Sequence, residues 1–253
     1  MLEIIYRDEH LVAIHKPAGL LVHRSNLDRH ETRYAVQELR DQLGCRVHPV
    51  HRLDKGTSGV LLFALDAGTA RRIGSDFAAQ RVSKRYLAVV RGWPAEGGEI
   101  DHPLTRQFDD YGRKYPPDSL QRQAAALPAR TTYQRLATVE LPLAVDRYPA
   151  TRYALVALQP HSGRSHQLRR HMKHIAHPII GDATFGKGVH NRFFQQHFGC
   201  GRLLLACTQL GFTHPATGVQ QVIDAPLAPG FSRLLQAMGW EIPPHSPAPP
   251  AHP

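Results

Sequence analysis

Apolar residues along the chain fall into short continuous runs and longer stretches of helical spacing, and the two alternate irregularly. Glu9 to His15 reads as a short strand ended by a Lys16-Pro17-Ala18-Gly19 turn. Tyr34 to Leu43 carries Val36, Leu39 and Leu43 on one helical stripe, closed by Gly44. Val60 to Leu65 is an apolar run of buried-strand type, followed by a predicted helix from Asp66 to Gln80 with Ala70, Ile73 and Phe77 inward. Further strands are predicted at Tyr86 to Val90, Thr131 to Val139, Arg152 to Leu158, Leu203 to Phe212 and Val219 to Ile223. Helices are expected at Ser165 to Ile175, with Leu168, Met172 and Ile175 inward, and at Phe231 to Met238. Strands outnumber helices and come in neighbouring pairs. That pattern predicts an α+β fold with a mixed, largely antiparallel central sheet flanked by helices.

Two stretches break the periodicity. Thr105 to Arg130 mixes Asp109, Asp110, Arg113, Lys114, Pro116 and Pro117 with several glutamines, and is expected to be a surface insertion. The proline-rich segment 243–253 is expected to be a disordered tail. No other boundary divides the chain, so residues 1–242 are expected to form one unit.

The length of 253 residues suits one large domain or two small ones, and 42% hydrophobic residues mark a globular chain. A net charge of +10 points to a polyanionic partner, nucleic acid before others, although a basic enzyme without such a partner has the same composition. No run is apolar enough for a membrane span, and the charged segment Met1 to His10 is no secretory signal. Three cysteines without CxxC spacing suggest reduced thiols and a cytoplasmic protein. P-loop, GxGxxG, GxSxG and HExxH patterns are absent, which removes the usual sequence support for nucleotide hydrolysis, dinucleotide redox chemistry, serine acyl transfer and zincin proteolysis.

Three segments could carry chemistry. In His51-Arg52-Leu53-Asp54-Lys55-Gly56-Thr57-Ser58-Gly59 an acid sits in a polar turn before a buried strand, between two cations. Those cations favour a carboxylate able to act as nucleophile or base, but an Asp in such a turn can equally cap it or make a surface ion pair. In the second, centred on Gly163 to His171, His166, Arg169, Arg170 and Lys173 lie off the apolar stripe of the predicted helix. They could hold phosphate or pair with a buried carboxylate, or form a solvated basic face. In the third, Lys84 to Gly92, Tyr86 opens a strand between cations and could stack on a base or pack in the core. His161, His166, His171, His174 and His177 lack a Cys pair or a Glu motif, so no metal site is expected.

Together these segments resemble the RluA-type family of RNA pseudouridine synthases. The resemblance runs from KPAG (Lys16–Gly19) through HRLDKGTSG (His51–Gly59), KRYLAVVRG (Lys84–Gly92), GRSHQLRRHM (Gly163–Met172), HPIIGD (His177–Asp182) and FTHPATG (Phe212–Gly218), covering residues 3–228. It implies a pseudouridine synthase fold with an RNA-binding cleft and an isomerase needing no cofactor. Asp54 then matches the family's catalytic aspartate, Tyr86 the tyrosine packed on the target base, and Arg169 the arginine paired with that carboxylate. Arg52 matches the residue that replaces the flipped base in the RNA stack. Lys55, Arg164, His166, Gln167 and Arg170 are the further expected RNA contacts.

Leu21–Glu31 and Leu136–Leu155 are similar to a subgroup that isomerises uridine 65 in the tRNA T-stem. The implied partner is therefore tRNA, with ribosomal RNA of the large subunit as the alternative and a non-catalytic RNA-binding protein behind both. A monomer is expected. Attack by Asp54 at C6 of the base or at C1′ of the sugar stays open, as does the base that removes the C5 proton. The family pattern is broken at Ala206-Cys207, where relatives carry His-Ala, and at Ala176, where they carry glycine.

Overall fold

The computed structural model describes residues 1–24, 30–105 and 125–241. Strands β1 (Glu3–Arg7) and β2 (Leu11–Lys16) form an opening hairpin, whose turn Asp8 fixes by accepting the His10 and Leu11 N–H groups, both at 2.7 Å. Helix α1 (Ala35–Leu43) ends at Gly44 in the left-handed conformation, φ 67°. Strands β3 (His48–Pro49) and β4 (Ser58–Ala64) bracket the loop that carries Asp54. Helix α2 (Ala67–Ala78) is N-capped by Asp66, which accepts the Thr69 N–H at 2.8 Å. Strands β5 (Ser83–Arg91), β6 (Gly97–Asp101), β7 (Leu104–Thr105), β8 (Ala126–Leu127), β9 (Arg130–Leu141) and β10 (Thr151–Pro160) follow. The chain then forms α3 (Gln167–His174), α4 (Gly188–Phe198), β11 (Leu205–Thr213), β12 (Gln220–Asp224) and α5 (Pro229–Ala237).

Ten of these strands make one sheet, ordered β1-β2-β4-β11-β5-β10-β9-β6, with β12 beside β11 and β3 beside β4. The pair β4–β11 is parallel and the other described pairs are antiparallel, so the sheet is mixed and largely antiparallel, as the sequence predicts. At the parallel contact Gly59 is required twice over. Its φ is +113°, and a Cβ there would lie 1.9 Å from the Cys207 carbonyl oxygen.

The period-two alternation of the central strands divides the core. On β5 and β10, Tyr86, Ala88, Val90, Ala154, Val156 and Leu158 face one side, where Leu39, Ile73, Leu168 and Met172 cover them. Val89, Tyr153 and Leu155 face the other, against Phe194, Phe231, Leu234 and Leu235. The sheet is thus buried on both faces, with α1, α2 and α3 on one and α4 and α5 on the other.

Predicted elements lie within a few residues of the observed ones. Strands β1, β3, β6, β7 and β8 and helix α4 are not predicted from the sequence. The edges of the expected 105–130 insertion are ordered and differ from a plain surface loop: β7 and β8 pair, Leu104 and Ala129 are buried, and Arg130 begins β9. Residues 106–124 and the 243–253 tail lie outside the described residues. No described helix is long and apolar enough to cross a membrane.

Candidate active site

The loop before β4 and the N-terminus of α3 approach each other at one end of the sheet, across a cleft of about 910 Å³. Arg52, Asp54, Lys84, Tyr86, Arg164, His166 and Arg169 line it. Asp54 projects from a turn closed by the Thr57 N–H bonding the Asp54 carbonyl at 3.0 Å. From one turn into α3, Arg169 donates from Nη1 to Asp54 Oδ2 at 3.1 Å. Its other edge forks onto Asp182, Nε to Oδ2 at 2.6 Å and Nη2 to Oδ1 at 2.8 Å.

Asp182 has no exposed side-chain surface. It also accepts the Thr184 and Phe185 N–H groups, each at 2.9 Å. Burial pushes its carboxyl up, but the Arg169 guanidinium and those two amides outweigh burial and hold it below the usual range. The Phe185 ring lies 5.1 Å from the Arg169 guanidinium carbon, closing the remaining side. The result is an arginine with both edges fixed and one nitrogen directed at Asp54.

Tyr86 rises from β5 beside the cleft, and burial, with the Cys207 thiol beneath it, pushes its hydroxyl well above the ordinary value. That thiol is itself pushed up to about 12 by burial, so it is neutral. His166 adopts the left-handed conformation, φ 52°, at the N-cap of α3, which carries its Nε2 to 3.9 Å from Asp54 Oδ1.

Of the other expected RNA contacts, Gln167 and Arg164 line the cleft while also bonding within the protein, and Lys55 and Arg170 lie off it. Gln167 is buried, and its amide oxygen accepts the Ser162 hydroxyl and the Arg164 N–H at 2.8 and 3.0 Å. Its nitrogen donates to the Arg130 carbonyl and the Thr131 hydroxyl, both at 3.0 Å. With every polar group so engaged, the side chain fastens α3 to β9. Arg170 lies outside the cleft lining and holds Thr105 through the carbonyl and hydroxyl, at 2.9 and 3.0 Å. Lys55 also lies off the lining, with its ammonium 2.9 Å from Glu31. Arg164 lines the cleft while donating to the Pro128 carbonyl at 3.1 Å.

The histidines form no metal centre among the described residues. His171 bridges Thr131 and the His102 carbonyl, both at 3.0 Å, and His174 stacks on His102 at 3.7 Å.

Three supporting side chains escaped the residue-level reading. Asp182 ends HPIIGD, yet nothing in a turn sequence reveals that it meets an arginine 13 positions earlier. Lys16 opens KPAG. It is fully buried, and its ammonium donates to the Pro17, Leu20 and Lys55 carbonyls at 2.9, 2.7 and 3.2 Å, which ties the first turn to the Asp54 loop. Arg202 donates to the Ser58 hydroxyl at 2.8 Å at the start of β4.

Comparison with known proteins identifies the family. A family model described as RNA pseudouridylate synthase matches residues 10–174. Over 241 residues the chain is 49% identical to a tRNA pseudouridine synthase C of Vibrio cholerae, covering 95% of this chain and 97% of that one. A tRNA pseudouridine synthase C of Yersinia pestis is 49% identical, covering 97% and 94%. Among solved structures, the human RNA Pseudouridylate Synthase Domain Containing 4 superposes with a TM-score of 0.72 at 25% identity, covering 96% of this chain and 95% of that one. The chain belongs to the RNA pseudouridylate synthase family and is an isomerase acting on RNA.

Proposed function

We propose that this isomerase acts on tRNA, converting uridine 65 in the T-stem to pseudouridine with Asp54 as the nucleophile. The observation that carries the chemistry is the Asp54 carboxylate held at 3.1 Å by an arginine that Asp182 fixes from behind. The choice of tRNA rests on relatives near 49% identity that are named tRNA pseudouridine synthase C, and on the similarity of Leu21–Glu31 and Leu136–Leu155 to that subgroup.

The reaction breaks N1–C1′ and forms C5–C1′; C5 loses a proton and N1 gains one, so the atoms balance without a co-reactant. A carboxylate can begin it at C6 of the base or at C1′ of the sugar. The target uridine must leave its stack, which costs a few kcal/mol. Arg52, exposed on the cleft rim, is suited to fill the vacated position, and the Tyr86 ring offers a face for the extruded base. Arg164 supplies a further cation along the cleft.

Mapping pseudouridine in total RNA from cells with and without the gene tests this reading. Loss of the T-stem site of tRNA alone is the expected result. Loss of a site in ribosomal RNA instead would overturn the substrate, and loss of no site would overturn the activity.

A further inference from the structure

Lys84 stands two residues before Tyr86 on β5 and lines the same cleft. The strand's alternation puts both side chains on the same face of the sheet. Arg164 bonds a carbonyl and Arg169 is held by two carboxylates, whereas Lys84 has no hydrogen bond or ion pair among the described residues. The groups that face it cannot act as counter-ions. His51 accepts the Leu62 N–H at Nε2 and is pushed down to about 3 by burial and by the Lys84 charge, so it is neutral. The Cys207 thiol and the Tyr86 hydroxyl are also uncharged. Burial lowers the pKa of the Lys84 ammonium below the ordinary lysine value, as expected of a cation placed in the cleft without a carboxylate partner. Such violations of local rules concentrate at functional sites.

We infer that Lys84 hydrogen-bonds a carbonyl oxygen of the extruded uracil and stabilises the negative charge that reaches it. The inference rests on the uridine-isomerising reading of the cleft. It holds for both routes of attack. When N1–C1′ breaks, the electron pair leaves with the base and spreads over O2 and O4. When a nucleophile adds at C6, the pair flows through C5 to O4. Either way the charge appears on the carbonyl oxygens, and an ammonium already stripped of competing partners responds to it without reorganising. Lys84 keeps its proton throughout and makes no covalent bond.

Single-turnover conversion of an unmodified tRNA transcript, with RNA affinity and melting temperature measured alongside, tests this in wild type, Lys84→Met and Lys84→Gln. Lys84→Met is expected to slow the chemical step by about 10²-fold, with affinity within about threefold and a melting temperature no lower than wild type. Lys84→Gln, which restores a neutral donor, is expected to regain part of that rate. An unchanged rate in Lys84→Met would overturn the inference. So would a loss confined to affinity, with the salt dependence reduced by about one phosphate contact, because Lys84 would then read the backbone. A slow but destabilised Lys84→Met with no recovery in Lys84→Gln would assign the residue to structure. Failure of the wild type to convert any transcript would overturn the proposed function itself, and this inference with it.

Discussion

Replacing Asp182 by Asn removes one negative charge from behind Arg169 while keeping the side chain's shape. The wild-type carboxylate takes four hydrogen bonds, at 2.6 and 2.8 Å from Arg169 and at 2.9 Å from the Thr184 and Phe185 amides. Asn has one acceptor oxygen, and each Asp182 oxygen takes a guanidinium N–H, so the NH₂ faces Arg169 in either orientation and at least one donor–donor contact is unavoidable. The pair is nearly dry, with 11% of the Arg169 side chain exposed and none of Asp182. Removing one partner of such a pair costs about 3–5 kcal/mol. For a chain of this size that lowers the melting temperature by roughly 6–20 °C. Because Arg169 also aims at Asp54, the single-turnover rate should fall by about 10–100-fold as the carboxylate loses its fixed partner. The pH dependence has a definite sign. The Asp182 carboxyl lies below its unfolded value, so its stabilising contribution is complete above about pH 4 and disappears as pH falls through the folded value. Wild type should therefore lose stability more steeply than Asp182→Asn below pH 4. Thermal melts across that range and single-turnover assays at neutral pH read both effects. A variant with wild-type melting temperature and rate would refute the view that Asp182 holds the site together.

Other outcomes follow from the same geometry. Gly59→Ala should destabilise by more than about 3 kcal/mol or fail to fold, because its Cβ would enter the Cys207 carbonyl; a melting curve like wild type would count against the β4–β11 register. Gln167→Ala leaves buried partners unpaired and should cost about 1–3 kcal/mol in denaturant melts, with RNA affinity little changed; a selective loss of affinity would return Gln167 to the RNA interface. RNA affinity should fall by about 10³-fold or more between about 50 and 200 mM salt, in proportion to the phosphates neutralised, and a flat profile would refute the basic-cleft reading.

The central strands were legible because their signals are local. Val60 to Leu65 and, after Arg152, Tyr153 to Leu158 are continuous apolar runs, and the predicted strand boundaries lie within one or two residues of the observed ones. Strand β1 was hidden because its side chains are only half-buried and carry Glu3 and Arg7 at the ends. Helix α4 was hidden because its fully buried side chains are only His190 and Phe194, while half-buried Phe193 and Phe198 and polar asparagine, arginine and glutamines blur the stripe of GVHNRFFQQHF. At the site, the residue types around Asp54 and Arg169 were visible, but the contact between them spans 115 positions and no local rule encodes it. Family resemblance supplied that pairing. Gln167 shows the converse limit: no local rule tells that this cleft-lining side chain makes four internal hydrogen bonds that fasten α3 to β9.

The most direct test is conversion of an unmodified tRNA transcript by purified wild type and Asp54→Asn, with tRNA binding measured on the same preparations. Wild type should form pseudouridine at the T-stem uridine. Asp54→Asn should form none while binding tRNA within about tenfold of wild type, because the lost group does chemistry and not recognition. Turnover by Asp54→Asn at the wild-type rate would contradict the assignment of Asp54 as nucleophile.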